Sequence, residues 1–324
     1  MIDRRTFIGT VAGGLLAAPL AAEGQQAGKV PRIGFLQPGP SLPGRFEAFR
    51  QGLRDLGYVE DKNVVIEFRV AREPKEHAAL LAELVNLKVD VLVTWTTPAA
   101  IAATRATSSI PIVAMTGDPM RTGLAASLAR PKGNVTGIAI LVDELEGKKL
   151  QLLREAIPTV SRIAVMWNAD NPVWVGVVQR LSEVTPTLGV KLQELPVTDS
   201  RHFEGALLSA TAAGVGALLL VEDVLFGGNS RKLVELIAKY RLPAMYSQSA
   251  FIDVGGLMSY SVNNSDMLRR LAGHVDKILR GARPGDLPIE QPTKFDFVIN
   301  LKTAKALGLT IPPSLLQRAD QVIE

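Results

Sequence analysis

Cysteine is absent from all 324 residues. That excludes disulfides, thiol nucleophiles, iron–sulfur sites and thiolate zinc sites. It also excludes the cysteine-borne anchor of a bacterial lipoprotein. Histidine is scarce: His77, His202 and His274 are all there is, and no two are close in sequence. A histidine-rich metal site is not expected, and no cofactor is implied. Excess charge of one sign is missing too. Lys+Arg is 36 against Asp+Glu 32, a surplus of +4 over the whole chain. No dense Lys/Arg block carries interleaved aromatics, so nucleic acid is not an expected partner. Catalytic signatures are also lacking. There is no G-x-S-x-G elbow, no P-loop and no G-x-G-x-x-G after a strand. Gly214-Val-Gly216 precedes a strand and reads as a turn. The chain is therefore not expected to be an enzyme.

What is present is an ordinary globular composition, 47% hydrophobic and 21% charged, in a length that suits about two domains. Residues 1–26 stand apart as a signal peptide. Arg4-Arg5 is a short basic region, and the apolar, small-residue run from Phe7 to Ala22 follows it. That run is shorter than the ~20 residues a spanning helix needs. Its length and Ala-rich end suit a cleaved signal. Arg4-Arg5-Thr6-Phe7-Ile8 resembles a twin-arginine export signal, with Asp3 before the pair and Gly9 where lysine is usual. The competing reading is an uncleaved membrane anchor. Either way the mature chain is expected outside the cytoplasm, in the periplasm.

From residue 30 onward, strand and helix patterns alternate. Arg32–Leu36, Val64–Val70, Val89–Thr94, Ile112–Met115 and Val135–Ile140 read as strands. Helical spacing separates them, as in Phe46, Phe49, Leu53 and Leu56. The rhythm restarts at Glu144–Ala156. Strands are then expected at 162–167, 191–197, 217–221, 244–246, 257–261 and 295–300, with a long helix over 265–280. The fold class is α/β, with mostly parallel sheets and helices on both faces. Two similar Rossmann-like lobes are expected, joined by a hinge of several strands. The N-terminal lobe takes 30–140 plus about 262–290. The C-terminal lobe takes 141–261 plus about 291–324.

Polar residues cluster just after the strands, at the carboxyl edge where open α/β sheets bind ligands. The candidate ligand-binding residues are Gln37 and Ser41 after the first strand, Trp95, Thr96 and Thr97 after the third, and Asp118 after the fourth. In the second half they are Asn168 and Asn171, then Asp223, then Tyr246. Hydroxyls, amides and helix N-termini suit a carboxylate. Asp118 and Asp223 can take an amine, and Trp95 or Tyr246 can supply a flat or cation–π face. Plainer roles compete. Ser41, Thr97 and Asn171 also suit N-caps, and Glu222-Asp223 suits a cap as well as it suits binding. Trp167 reads as core and Trp174 as helix packing.

Certain stretches are specific in combination: Arg32-Ile-Gly-Phe-Leu36, Phe49-Arg-Gln-Gly-Leu-Arg-Asp-Leu-Gly-Tyr58, Ile110-Pro-Ile-Val113 with Gly117-Asp-Pro119, and Gly133-Asn-Val-Thr-Gly137. Gly255-Gly-Leu-Met-Ser-Tyr260, Pro292-Thr-Lys-Phe295 and Ile299–Leu309 continue them. On these stretches the mature chain resembles, nearly end to end, the bacterial ABC-transporter substrate-binding family that includes tryptophan- and tyrosine-binding proteins. The resemblance implies a periplasmic-binding-protein fold of type I and a monomer. It implies capture of a small solute, an amino acid or related compound, and delivery to an ABC importer permease. A sensor module of the same fold, or less readily an exported α/β enzyme, is the alternative. One departure stands out. Trp95-Thr96 precedes Thr97-Pro98 where the family often has small residues. A tryptophan there reshapes the pocket and weakens any carry-over of aromatic amino-acid specificity.

Overall fold

The computed structural model describes residues 29–39 and 44–324. The expected signal segment and Ser41 lie outside the described residues. Five short apolar runs form the first sheet: β1 (Arg32–Pro38), β2 (Val65–Ala71), β3 (Val91–Trp95), β4 (Ile112–Thr116) and β5 (Val135–Ala139). Their order is β2-β1-β3-β4-β5, and every pairing is parallel. Parallel neighbours need crossovers, which α1 (Arg45–Asp55), α2 (His77–Asn86) and α3 (Thr97–Ala106) supply, while residues 117–134 join β4 to β5 without a helix. β3, β4 and β5 are buried at every residue, as unbroken apolar runs require.

The second sheet has seven strands: β6 (Arg162–Asn168), β7 (Lys191–Val197), β8 (Ala217–Leu220), β9 (Ala244–Tyr246), β10 (Met258–Val262), β11 (Phe295–Asn300) and β12 (Gln321–Ile323), in the order β12-β11-β10-β9-β8-β6-β7. Only β10–β11 is antiparallel. Its helices are α4 (Val142–Ala156), α5 (Pro172–Val184), α6 (Phe203–Ala212), α7 (Val224–Gly227), α8 (Ser230–Lys239) and α9 (Ala250–Asp253). After α10 (Asn264–Leu279) come α11 (Leu301–Ala306) and α12 (Pro313–Leu316). The α/β class and mostly parallel sheets are as the sequence predicts. The short α7, α9 and α12, the terminal strand β12 and the reversed β11 are additions.

One helix changes sides. α10 begins where the Asn263 side chain accepts the Asp266 N–H at 2.9 Å. Its apolar stripe of Met267, Leu268, Leu271, Ala272 and Val275 packs with Phe49 and Leu53 of α1, in the core of the first sheet. The chain thus passes between the sheets three times: after β5, between β10 and α10, and between Glu290 and β11. The last pass is pinned at both ends. Glu290 N–H donates to Gly137 O at 2.9 Å, and Ala139 N–H donates to Glu290 O at 2.8 Å. Asn263 Nδ2 donates to both carboxylate oxygens of Asp296, each at 3.1 Å.

Two ionic features set stability. Lys149 Nζ lies 2.7 Å from Glu146 Oε1 on α4, and both side chains are fully buried. Glu146 Oε2 has no partner, and burial pushes its carboxyl up. Removing one member of such a pair strands the other. Lys149→Met is expected to lose about 3–5 kcal/mol in denaturant unfolding, while Glu146→Leu with Lys149→Met recovers most of it. The second feature is Glu290. Burial alone would raise its carboxyl, but the Arg270 hydrogen bond, with the charges of His274, Arg270 and Lys277, holds it below the ordinary value. A lowered folded value gives stability above the unfolded pKa of ~4.3. That stability is lost as pH falls through the folded value. Urea midpoints followed downward from pH 7 should therefore drop less steeply in Glu290→Gln than in the wild type.

Candidate ligand-binding cleft

The carboxyl ends of both sheets meet at one cavity of about 350 Å³. The first sheet supplies the turns after β1, β2, β3 and β4. The second supplies the turns after β6, β8 and β9, with α4, α5 and α7. Apolar groups make most of the wall: Trp95, Met115, Ile140, Val142, Val173 and Trp174.

The wall after β3 is built on aromatic packing. Phe35 gathers Phe46, Phe49, Phe68 and Trp95, the last edge-on at 5.5 Å and 70°. This fixes Trp95, which is only 3% exposed, at the cavity edge. Thr96 then turns at φ 73°, ψ 140°, a region that L-residues other than glycine rarely adopt. The strain points α3 at the cavity. No side chain caps that helix, and Thr96, Thr97 and Pro98 line the cavity. Thr97 Oγ1 accepts the Gly117 N–H at 3.0 Å, which joins this turn to the one after β4.

The opposite wall is organised by Asp223. Its Oδ1 accepts from Asn168 Nδ2 at 3.0 Å and from the Leu225 N–H at 3.0 Å. Its Oδ2 accepts from Asn171 Nδ2 at 2.8 Å. Asn171 in turn caps α5 through the Val173 N–H at 3.2 Å. Beside it, Gln248 Nε2 donates to Glu222 Oε1 at 2.9 Å. The Trp174 indole N–H is buried without a partner. His77, at the cavity edge, is held below the ordinary histidine value by burial. The second-sheet wall carries carboxylates and amides, and the first-sheet wall a helix N-terminus and hydroxyls beside the charged turn after β2, so the cleft is bipolar with charges of both signs on its first wall. Among the described residues, no group of three or more His, Asp or Glu could hold a metal ion.

Residues 33–323 match the ABC transporter substrate binding protein family. The chain belongs to that family. It is similar to the tyrosine-binding protein of Clostridioides difficile, at 26% identity over 275 residues, 83% of this chain and 78% of that protein. A conserved domain protein of Vibrio cholerae superposes with a TM-score of 0.84 at 27% identity, over 91% of this chain and all of that one. The Streptococcus pneumoniae ABC domain in complex with L-Trp gives 0.83 at 26% identity, with the same coverage. More distant solved structures, 11% and 14% identical, share the fold, that of type I periplasmic binding proteins.

In this substrate-binding protein, the cavity brings together Trp95, Thr96, Thr97, Asn168, Asn171 and Asp223. Three other expected residues do not line it. Asp118 turns onto its own backbone, where Oδ1 accepts the Met120 and Arg121 N–H groups at 3.1 and 3.0 Å. Gly117 forms the wall instead. Tyr246 faces its own core, stacked on Phe251 at 5.1 Å, and burial pushes its hydroxyl up. Gln37 is fully buried, with neither amide atom partnered; its neighbours Pro38 and Gly39 line the cavity. The wall also contains Arg72, Glu73, Pro74, Lys75 and His77, from the end of β2 onward. The strand-end rule covers this turn too, so it was legible. Trp174, read as packing, is both packed and part of the wall.

The strain at Thr96 is testable without a ligand. Positive φ costs of order 1–3 kcal/mol in a β-branched residue, against ~0.5–1 kcal/mol of extra backbone entropy in glycine. Thr96→Gly should raise the unfolding free energy by about 1 kcal/mol, seen as a higher midpoint. A fall in the midpoint would mean that side-chain contacts of Thr96 outweigh the strain.

Proposed function

We propose that this protein is an exported, monomeric solute receptor. It captures a small zwitterion of the amino-acid class in the cleft and delivers it to an ABC importer permease. The observation that carries this reading is the bipolar cleft. The uncapped N-terminus of α3 and the hydroxyls of Thr96 and Thr97 favour a carboxylate. Glu222 and Asp223 on the facing wall favour an ammonium group. The apolar faces of Trp95 and Trp174 leave room for a nonpolar side chain, and ~350 Å³ lies at the small end of ligand cavities. The family and its tyrosine- and tryptophan-binding relatives support the amino-acid class.

The two sheets act as two lobes, with boundaries near 140, 262 and 290, and the three passes between them form the hinge. The ligand favours closure only as far as it binds the closed form more tightly. Export rests on the signal-like residues 1–26. It accords with the family's extracytoplasmic role.

The test is a thermal-shift screen of the chain from about residue 27 against amino acids, aromatic acids, sugars and nucleosides. A ligand at 100 times its Kd adds ~2.7 kcal/mol, a shift of several degrees in a chain of this size. A shift confined to amino acids supports the reading; a shift confined to sugars or nucleosides overturns the solute class. Asp223→Ala should then weaken binding of the hit at least tenfold, ~1.4 kcal/mol, by calorimetry. Undiminished affinity removes Asp223 from the site.

A further inference from the structure

At three places around the cleft, a glycine of one lobe faces a side chain of the other. Gly39, after β1, lies against Val224 of α7: a Cβ on it would sit 3.0 Å from the valine Cβ, and its φ of 80° calls for glycine as well. Gly117, after β4, lies against Val142 of α4 and Val173 of α5, whose methyl groups would be 3.3 and 3.4 Å from its Cβ. The third contact runs the other way. Gly176, in the middle of α5, receives Arg121 from the turn after β4. A Cβ there would lie 2.9 Å from Arg121 Nη1 and 3.2 Å from Arg180 Nη1.

We propose that Gly39, Gly117 and Gly176 are seats on which the lobes close, positioning residues that set how completely the cleft shuts around its solute. The inference rests on the reading of the cleft as a closing solute site. Gly176 carries the argument best. A glycine inside a helix is unfavourable relative to alanine, and its φ is ordinary, so backbone conformation does not demand it. Cross-lobe contact supplies a reason. Arg121 is anchored on its own lobe by Asp118, whose Oδ2 accepts from Arg121 Nε at 3.4 Å. Arg180 is held by Asp143 through Nη2, at 2.5 Å. The two guanidinium groups therefore converge on the bare helix surface at Gly176, each with a carboxylate of its own lobe. A methyl at that point displaces Arg121. Because Arg121 is the far end of a flexible side chain, the fold survives and only the seat is lost. Gly117 gives a second, independent case, since its φ is also ordinary. There the opposing groups are branched valines that yield less.

The seat model makes opposite predictions for stability and closure, which separates it from a purely structural role. Gly176→Ala should raise the unfolding midpoint, because alanine favours the helix. It should also lower the closed population about tenfold, equal to ~1.4 kcal/mol. Adding Arg121→Ala to Gly176→Ala should restore closure, because the displaced group is gone. The chain has no native cysteine, so a nitroxide pair at V59C and L208C reports lobe separation directly. Both positions are exposed, one on each lobe and away from the seats. Distance distributions are recorded with and without a mixture of the standard amino acids. The expected result is a shorter-distance population that grows with amino acids in the wild type, shrinks in Gly176→Ala and Gly117→Ala, and returns in the Arg121→Ala double variant. Equal closed populations in wild type and Gly176→Ala overturn the seats. A single unchanging distance in the wild type overturns them as well, because nothing then closes. Two populations indifferent to amino acids overturn the solute class alone, and the seats are then read from the ratio between variants.

Discussion

The carboxylate of Asp223 holds the second wall of the cleft together. Three N–H donors converge on it, from Asn168, Asn171 and the first turn of α7. These belong to turns at the ends of two adjacent strands, β6 and β8. One acidic group thus locks two loops to each other and starts a helix. Asn171 passes the constraint on, because its other amide atom caps α5. The polarity of this wall is therefore built into its architecture. A residue with no acceptor at 223 would leave two half-buried amides without their shared partner, and such groups are costly to leave unmet.

The first wall is held by different means. Its rigidity comes from the aromatic cluster around Phe35 and from a backbone forced through an unfavourable turn at Thr96. Strain of this kind persists only where surrounding packing determines the conformation more strongly than local preference does. Trp95 on one side of Thr96 and the Thr97–Gly117 hydrogen bond on the other provide that surrounding. Hydrogen bonds fix the second wall and aromatic packing fixes the first, although both carry polar and apolar groups.

Much of this was legible in the sequence, because one rule does most of the work: ligands gather at the carboxyl ends of parallel strands. Of the residues it picks out, Trp95, Thr96, Thr97, Asn168, Asn171 and Asp223 line the cavity. Others are turned away from it by local chemistry. Asp118 finds two backbone N–H groups within its own turn, and nothing in residue type distinguishes that from an acid facing a ligand. Tyr246 ends a strand but lies in the core, where Gly256 leaves room for the ring. The charged turn after β2 obeys the same rule, so its omission was one of application. Two fold features were not legible at all. The spacing in α10 shows that one face is apolar but not which sheet it covers. The pattern of β11 shows a strand but not its direction.

That position of α10 governs the order in which the chain can fold. Tyr58, in the turn after α1, bonds Asp276 across 218 residues of sequence, and Phe49 and Leu53 share their core with side chains from 267 onward. The opening third of the protein therefore carries an apolar helix face that its own strands cover only in part. Such distant contacts form late and slowly. A chain cut short of α10 would lack the side chains that complete this core, and it would be a sticky fragment instead of a smaller folded protein.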